Sequence, residues 1–274
     1  MKIDYTISVL GCGWLGLPLA KQLVAMGHIV KGSTQTATKL AVLHQQGIDP
    51  YLIEVHKKIK GTNLPHFFKS GVLIINIPPG RKRRDVARSH PKQIEAIIEK
   101  ALIHQTKRVL FVSSTSVYGN VNRVVTESDD PRPETPSGTA LVAAEEMLMR
   151  QEDLEVTIVR FGGLVGEDRP AGRFLAGKSD VKNGDAPVNM THQVDCIEVI
   201  SKIISQEKWG YIFNVCADEH PTRKAFYTAQ AKKQGFEPPK FSKSEALVAY
   251  KEVSNYKVKQ ALNYAFIKPN PMDF

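Results

Sequence analysis

The feature that most constrains this chain is a glycine spacing close to its start. A short apolar run, Thr6–Leu10, leads directly into Gly11-Cys12-Gly13-Trp14-Leu15-Gly16. Apolar residues at helical spacing follow through Leu15–Met26. Each glycine has its own physical reason. The first permits a tight turn, the second lets the backbone approach a pyrophosphate, and the third lets helix pack closely on strand. The spacing carries weight because a strand-like run precedes it and a helical run follows it. The helix start then offers unbonded N–H groups and a positive dipole end to phosphates. The turn predicts a βαβ unit that binds a dinucleotide, with Gly11, Gly13, Trp14, Leu15 and Gly16 against it.

The rest of the chain repeats the alternation. His28–Lys31 reads as a strand and Thr38–Gln46 as a helix. Val72–Ile77 is a continuous apolar run, as expected of a strand covered on both faces. Asp85–His104 is a long amphipathic helix, Arg108–Ser113 another buried strand, Thr139–Arg150 a helix and Val156–Arg160 a strand. Cys196–Gln206, Tyr211–Val215 and Thr222–Lys233 continue as helix, strand and helix. Such alternation predicts an α/β fold: a Rossmann-type, doubly wound, mostly parallel sheet with helices on both faces. The 274 residues suit a single domain. From about residue 163 the strands thin out and Pro and Gly rise, so that a smaller C-terminal substrate-side lobe is expected there.

The end of the second strand selects the nucleotide. A site for NAD usually carries an acidic residue there to hold the ribose hydroxyls. Here the segment reads Lys31-Gly32-Ser33-Thr34-Gln35. Without a carboxylate to repel a 2′-phosphate, and with Lys31, Ser33, Thr34 and Lys39 to bind one, NADP is expected over NAD. Further along, Asn76-Ile77-Pro78-Pro79-Gly80 ends the Val72 strand. Ile77, Pro78 and Pro79 would wall the crevice with few competing N–H donors. The run Arg81-Lys82-Arg83-Arg84 that follows is either a solvated loop or a source of one or two cations for an anionic ligand.

Composition narrows the function classes. The formal net charge is +9, yet the basic clusters at Lys57-Lys58-Ile59-Lys60 and Arg81–Arg84 lack aromatic interleaving and a base-reading motif, so no nucleic-acid partner is expected. Cys12, Cys196 and Cys216 have neither metal-ligand nor disulfide spacing, and no metal site is expected. No apolar run is long enough for a membrane span. Met1–Tyr5 runs straight into the first strand without room for a signal peptide, which predicts a cytoplasmic protein.

After the Arg108 strand comes Val112-Ser113-Ser114-Thr115-Ser116-Val117-Tyr118-Gly119. With this segment the chain resembles the extended short-chain dehydrogenase/reductases, the nucleotide-sugar epimerase and dehydratase group. The resemblance spans nearly the whole chain. It includes Arg160-Phe161-Gly162-Gly163-Leu164-Val165-Gly166, His192-Gln193-Val194-Asp195, Phe213-Asn214-Val215 and the closing Val253–Tyr264 segment. Trp14 and the Ile-Pro-Pro strand end are similar to a compact bacterial NAD-dependent epimerase/dehydratase branch. The resemblance implies an NAD(P) cofactor, with Ser113 among its contacts, and a small, anionic or sugar-type substrate bearing a carbonyl or alcohol. It also implies a homodimer through the helices at Asp85–His104 and Thr139–Arg150.

The family's proton relay uses a Ser or Thr, a Tyr, and a Lys one helical turn after the Tyr. Ser114 matches the family Ser. Ser137 stands where the Tyr belongs and Leu141 where the Lys belongs, so the usual relay is absent. Ser114, Tyr118 and Ser137 are the candidate catalytic groups. Tyr118 has a second reading as the family's structural tyrosine, and Arg160 as a support for its loop. His192 and Asp195 are expected to organise their loop. Two functions follow: an epimerase-, dehydratase- or reductase-like enzyme with a rebuilt acid/base site, or a non-catalytic NAD(P)-binding redox sensor.

Overall fold

The computed structural model describes residues 5–80, 85–243 and 249–274. The first half runs β1 (Thr6–Leu10), α1 (Gly16–Ala25), β2 (Ile29–Thr34), α2 (Leu40–Gln45), β3 (Asp49–Val55), β4 (Ile59–Gly61), α3 (Leu64–Phe68), β5 (Val72–Ile75), α4 (Val86–Ile103) and β6 (Arg108–Ser114). It continues as β7 (Val124–Val125), α5 (Pro136–Met149), β8 (Glu155–Phe161), β9 (Gly163–Val165), β10 (Met190–His192), α6 (Gln193–Ser205), β11 (Ile212–Val215), α7 (Arg223–Lys233), β12 (Glu252–Val253) and α8 (Tyr256–Leu262). The principal sheet has the order β11-β8-β6-β5-β1-β2-β3-β4. Its pairings are parallel except for the antiparallel β3–β4 edge.

This is the Rossmann-type, doubly wound arrangement expected. The strand order reverses beside β1, between β5 and β2. In an open α/β sheet that reversal opens a crevice at the carboxyl ends of the strands. The glycine turn leaves β1 at this point.

The apolar spacing of each helix explains which face it buries. On one side Leu19 and Leu23 of α1 pack with Val199 and Ile203 of α6 and Leu262 of α8. On the other, Ile94 and Ile97 of α4 meet Leu141, Ala144 and Leu148 of α5. Full burial of each such aliphatic side chain contributes about 1.5–3 kcal/mol. A separate small cluster of Val165, Ala171, Val188, Met190 and Phe226 holds β9, β10 and α7 together. Asp195 pins the following segment: its carboxylate accepts the Tyr264 hydroxyl at 2.6 Å and the Ile267 and Lys268 N–H groups at 2.7 and 3.1 Å. Asp195 is thus a loop organiser, as expected. Among the described residues no helix is long and apolar enough to cross a membrane.

Some element ends move. β2 runs to Thr34 rather than Lys31, because it pairs with β3, a strand that the spacing of apolar residues did not announce. The Val72 strand stops at Ile75, so Asn76–Gly80 is loop. α5 begins at Pro136, not Thr139. The Thr135 hydroxyl caps it by accepting the Gly138 N–H at 3.1 Å, and proline suits a first helical position because its missing N–H is not needed there. Lys57, Lys58 and Lys60 lie exposed around the β3–β4 turn. The Arg81–Arg84 run lies outside the described residues.

Candidate functional site: the glycine turn and the crevice beside it

Each glycine of the turn is set by a different contact. Gly11 has φ of 107°, a region that side-chain-bearing residues rarely adopt. A Cβ on Gly11 would lie 2.6 Å from the Asn76 carbonyl oxygen, and one on Gly16 only 2.1 Å from the Gly11 carbonyl oxygen. At Gly13 an added Cβ would meet nothing within 4 Å. The outer glycines are therefore required by packing, and the middle one faces open space. The turn is braced by the Gly11 N–H donating to Ser33 Oγ at 2.9 Å, the Cys12 N–H to the Ser33 carbonyl at 2.8 Å, and Asn76 Nδ2 to the Gly11 carbonyl at 2.9 Å. No side chain caps the start of α1, and its first turn carries no acidic residue. An open concavity at the positive end of a helix fits a pyrophosphate.

Several predicted cofactor contacts prove to face inward. Ser33 is buried, and its hydroxyl holds the Gly11 N–H. It shapes the turn rather than presenting itself to a ribose phosphate. Lys31 is buried as well; its ammonium donates to the His66 and Lys69 carbonyls at the end of α3. A cation at a helix C-terminus satisfies the last carbonyls and the dipole, so Lys31 is removed from the nucleotide site. Thr34 is nearly buried and its hydroxyl accepts the Thr36 N–H at 3.1 Å. Lys39 is exposed beyond the end of β2. Leu15 is buried and offers only its backbone, whereas Ile77 and Pro79 are half-buried and Pro78 is exposed at the mouth of the crevice.

Trp14 reaches the other way. Its carbonyl accepts Gln193 Nε2 at 2.7 Å, and a Cβ on Gly166 would lie 2.9 Å from its ring. The Arg169 guanidinium stacks over the same ring at 5.5 Å. Trp14 thereby ties the turn to the segment between β9 and α6.

The hydroxyls after β6 divide into two sets. Ser114 is half-buried, and its Oγ accepts the Ser116 N–H at 3.2 Å, which leaves its proton to donate. Ser137, also half-buried, sits in the first turn of α5 with its Oγ 3.2 Å from Thr135 Oγ1. α5 starts directly against the first set, since a Cβ on Gly138 would lie 2.5 Å from the Ser116 carbonyl. The second set is internal. Ser113 donates to Glu145, so its predicted place among the cofactor contacts does not hold for its side chain. Glu145 forms a buried ion pair with Arg160 at 2.6 Å. Arg160 Nη1 donates to the Tyr118 hydroxyl at 2.6 Å, and that hydroxyl donates to Asn214 Oδ1 at 2.9 Å.

Tyr118 is thus the structural tyrosine, not a crevice acid. Burial pushes its phenol up, and the Arg160 charge only partly offsets this. Arg160 supports the loop instead of facing a ligand. Leu141 is buried in the α4–α5 core. His192 caps α6, its Nδ1 accepting the Val194 N–H at 3.3 Å.

Comparison with known proteins agrees with this geometry. A family model described as NAD(P)H-binding matches residues 11–194. The chain belongs to this NAD(P)H-binding family. Its fold is shared with solved short-chain dehydrogenase/reductases and nucleotide-sugar epimerases. Protein YeeZ of Escherichia coli is 33% identical over 268 residues, covering 97% of each chain. UDP-glucuronic acid 4-epimerase from Bacillus cereus, solved with UDP-glucuronic acid and NAD, superposes with a TM-score of 0.79 at 17% identity, covering 98% of this chain and 96% of that one. A short-chain dehydrogenase/reductase superfamily protein from Agrobacterium tumefaciens with bound NAD gives 0.75 at 18% identity, covering 98% and 95%.

Within this NAD(P)H-binding family member, sequence reasoning missed three features that shape the site. Asn76 clamps Gly11; only its place at a strand end hinted at that. Gln193 ties α6 to the turn, and nothing in its local spacing signals it. Asn189 brackets a late segment, donating to the Lys251 carbonyl at 2.9 Å and accepting the Val253 N–H at 2.7 Å.

Proposed function

We propose that this chain binds NADP at the glycine turn and acts on a carbonyl or alcohol of a small sugar-type substrate held between Ser114 and Ser137. The observation that carries this reading is the open space at Gly13 over the uncapped start of α1. The bound dinucleotide would supply or accept hydride. The chain's residues do the rest. Ser114 donates a hydrogen bond from its free hydroxyl to the substrate oxygen. Ser137, at the positive end of α5, favours negative charge on that oxygen as it develops. With Leu141 in place of a lysine, the helix position that would lower the pKa of a proton donor is apolar, so the proton is exchanged with water. NADP is preferred because Ile29–Lys39 contains no carboxylate and Lys39 is exposed beside the end of β2. The UDP-sugar bound to the Bacillus cereus epimerase supports a sugar nucleotide as substrate class.

One observation favours a second reading, a redox sensor that binds the cofactor without turnover: the Tyr118 hydroxyl is internal and Leu141 is buried. Calorimetric titration with the oxidised and reduced forms of NAD and NADP, followed by a carbonyl and alcohol screen read by nicotinamide absorbance, separates the two. The enzyme reading expects turnover that falls about 100-fold in Ser114→Ala, the typical effect of removing one oxyanion donor, with cofactor affinity unchanged. Saturable binding with no turnover, and unequal affinity for NADP and NADPH, would establish the sensor instead.

A further inference from the structure

Lys251 is a cation that the proposed chemistry leaves unused. It lies just before β12, and two contacts tie it to the segments that follow β6 and β8. Its ammonium donates to the Tyr118 carbonyl, four residues beyond Ser114 in the loop after β6. Its main chain is held by Asn189, whose carbonyl oxygen lies 2.6 Å from where a Cβ on Gly162, just after β8, would stand. Lys251 therefore bridges the carboxyl ends of β6 and β8, close to the start of α5.

Its surroundings do not satisfy it. A lysine ammonium has three N–H donors. Among the described residues the Tyr118 carbonyl is the one acceptor that Lys251 bonds. The Glu134 carboxylate acts on it only through its charge, while its two oxygens accept the Asn120 N–H at 2.8 Å and Asn120 Nδ2 at 2.7 Å. The side chain is only half exposed. Burial pushes the amine's pKa down and the Glu134 charge only partly offsets this. A partly desolvated ammonium with spare donors gains from an anion that completes it.

We infer that Lys251 forms a subsite for an oxyanion, a carboxylate or phosphate, on the substrate that occupies the crevice beside Ser114. The inference rests on the proposed substrate site and deepens it: the substrate is an anion, and Lys251 reads its charge. Two of the ammonium's N–H groups are available for it, while the Tyr118 carbonyl fixes the direction of the third.

The test uses the full-length protein with inorganic phosphate and malonate as separate probes, which distinguishes the two oxyanion types. Lysines are labelled with nitrogen-15, their side-chain ammonium signals are recorded, and the Lys251 signal is assigned by its loss in Lys251→Arg. The expected result is a saturable shift of that signal with one probe. Lys251→Met should bind that probe at least about tenfold more weakly, the loss expected for one charge-assisted hydrogen bond, and Lys251→Arg should retain most of the binding. NADP affinity, titrated in parallel, should be the same in all three proteins. A Lys251 signal unmoved by both probes overturns the inference, as does equal probe affinity in Lys251→Met. Should Lys251→Met fold poorly, the titration of the unsubstituted protein decides alone. Absent NADP binding together with a moving Lys251 signal would refute the cofactor reading and leave the anion subsite standing.

Discussion

Alanine at Gly13 and at Gly16 should separate folding from binding. At Gly13 the added methyl meets nothing within 4 Å, and the backbone is not in the left-handed region. Gly13→Ala should therefore leave stability within about 0.5 kcal/mol of the parent, the usual range for a change that touches nothing. The methyl would, however, occupy the space that a pyrophosphate needs in order to reach the backbone N–H groups. Losing one charge-assisted hydrogen bond costs about 1.5–3 kcal/mol, so NADP should bind about 10- to 100-fold more weakly. At Gly16 the methyl would stand 2.1 Å from the Gly11 carbonyl oxygen and 2.7 Å from Asn76 Nδ2. Relief requires α1 to move away from β1. That is an overpacking change at or above the upper end of the usual 1–3 kcal/mol, or about 6–12 °C in melting temperature. Urea denaturation followed by circular dichroism gives the stabilities, and calorimetry gives the NADP affinity of the folded proteins. A Gly13→Ala protein that binds NADP as the parent does would refute the assignment of this opening to the phosphates. Equal destabilisation by the two substitutions would refute the packing argument.

Other outcomes follow from the same geometry. Glu145→Leu leaves the Arg160 guanidinium buried without its carboxylate and should destabilise by about 3–5 kcal/mol, whereas Glu145→Leu with Arg160→Met should recover most of that loss; a double substitution as unstable as the single one, measured by urea denaturation, would contradict this. His90 is buried, and burial holds its imidazole below the ordinary value of 6.5. The unfolded chain therefore binds the proton first, and stability should fall as pH drops below about 6.5, by up to about 1.4 kcal/mol per pH unit from this group. His90→Leu should flatten that slope in denaturation curves taken across this range, and an unchanged slope would exonerate His90. Lys39→Glu should weaken NADP more than NAD, by about tenfold; equal losses for both cofactors in calorimetry would remove Lys39 from the 2′-phosphate site.

The legible parts of the site are those written in local spacing. Gly11, Gly13 and Gly16 could be found because strand, turn and helix lie within a few residues of one another and each step has its own steric demand. The place of Ser114 at a strand end, and the loss of the relay at Ser137 and Leu141, were equally local. β3 was missed because Asp49–Val55 carries Pro50 and Glu54 among its apolar residues and lies at the less enclosed end of the sheet, next to β4.

By itself, then, the sequence determined a parallel α/β sheet with a dinucleotide turn after the first strand and an incomplete proton relay after the Arg108–Ser113 run. Tertiary structure decided which polar groups remain for a ligand. Tyr118 and Arg160 are 42 residues apart, Tyr118 and Lys251 133 apart, and Ser33 and Gly11 22 apart. A buried hydroxyl or charge must find a partner wherever the fold supplies one. Spacing along the chain cannot identify that partner, because strand order and register bring it into place. Ser33, Lys31 and Tyr118 were drawn inward by such partners, and the same folding left Lys251 with donors to spare.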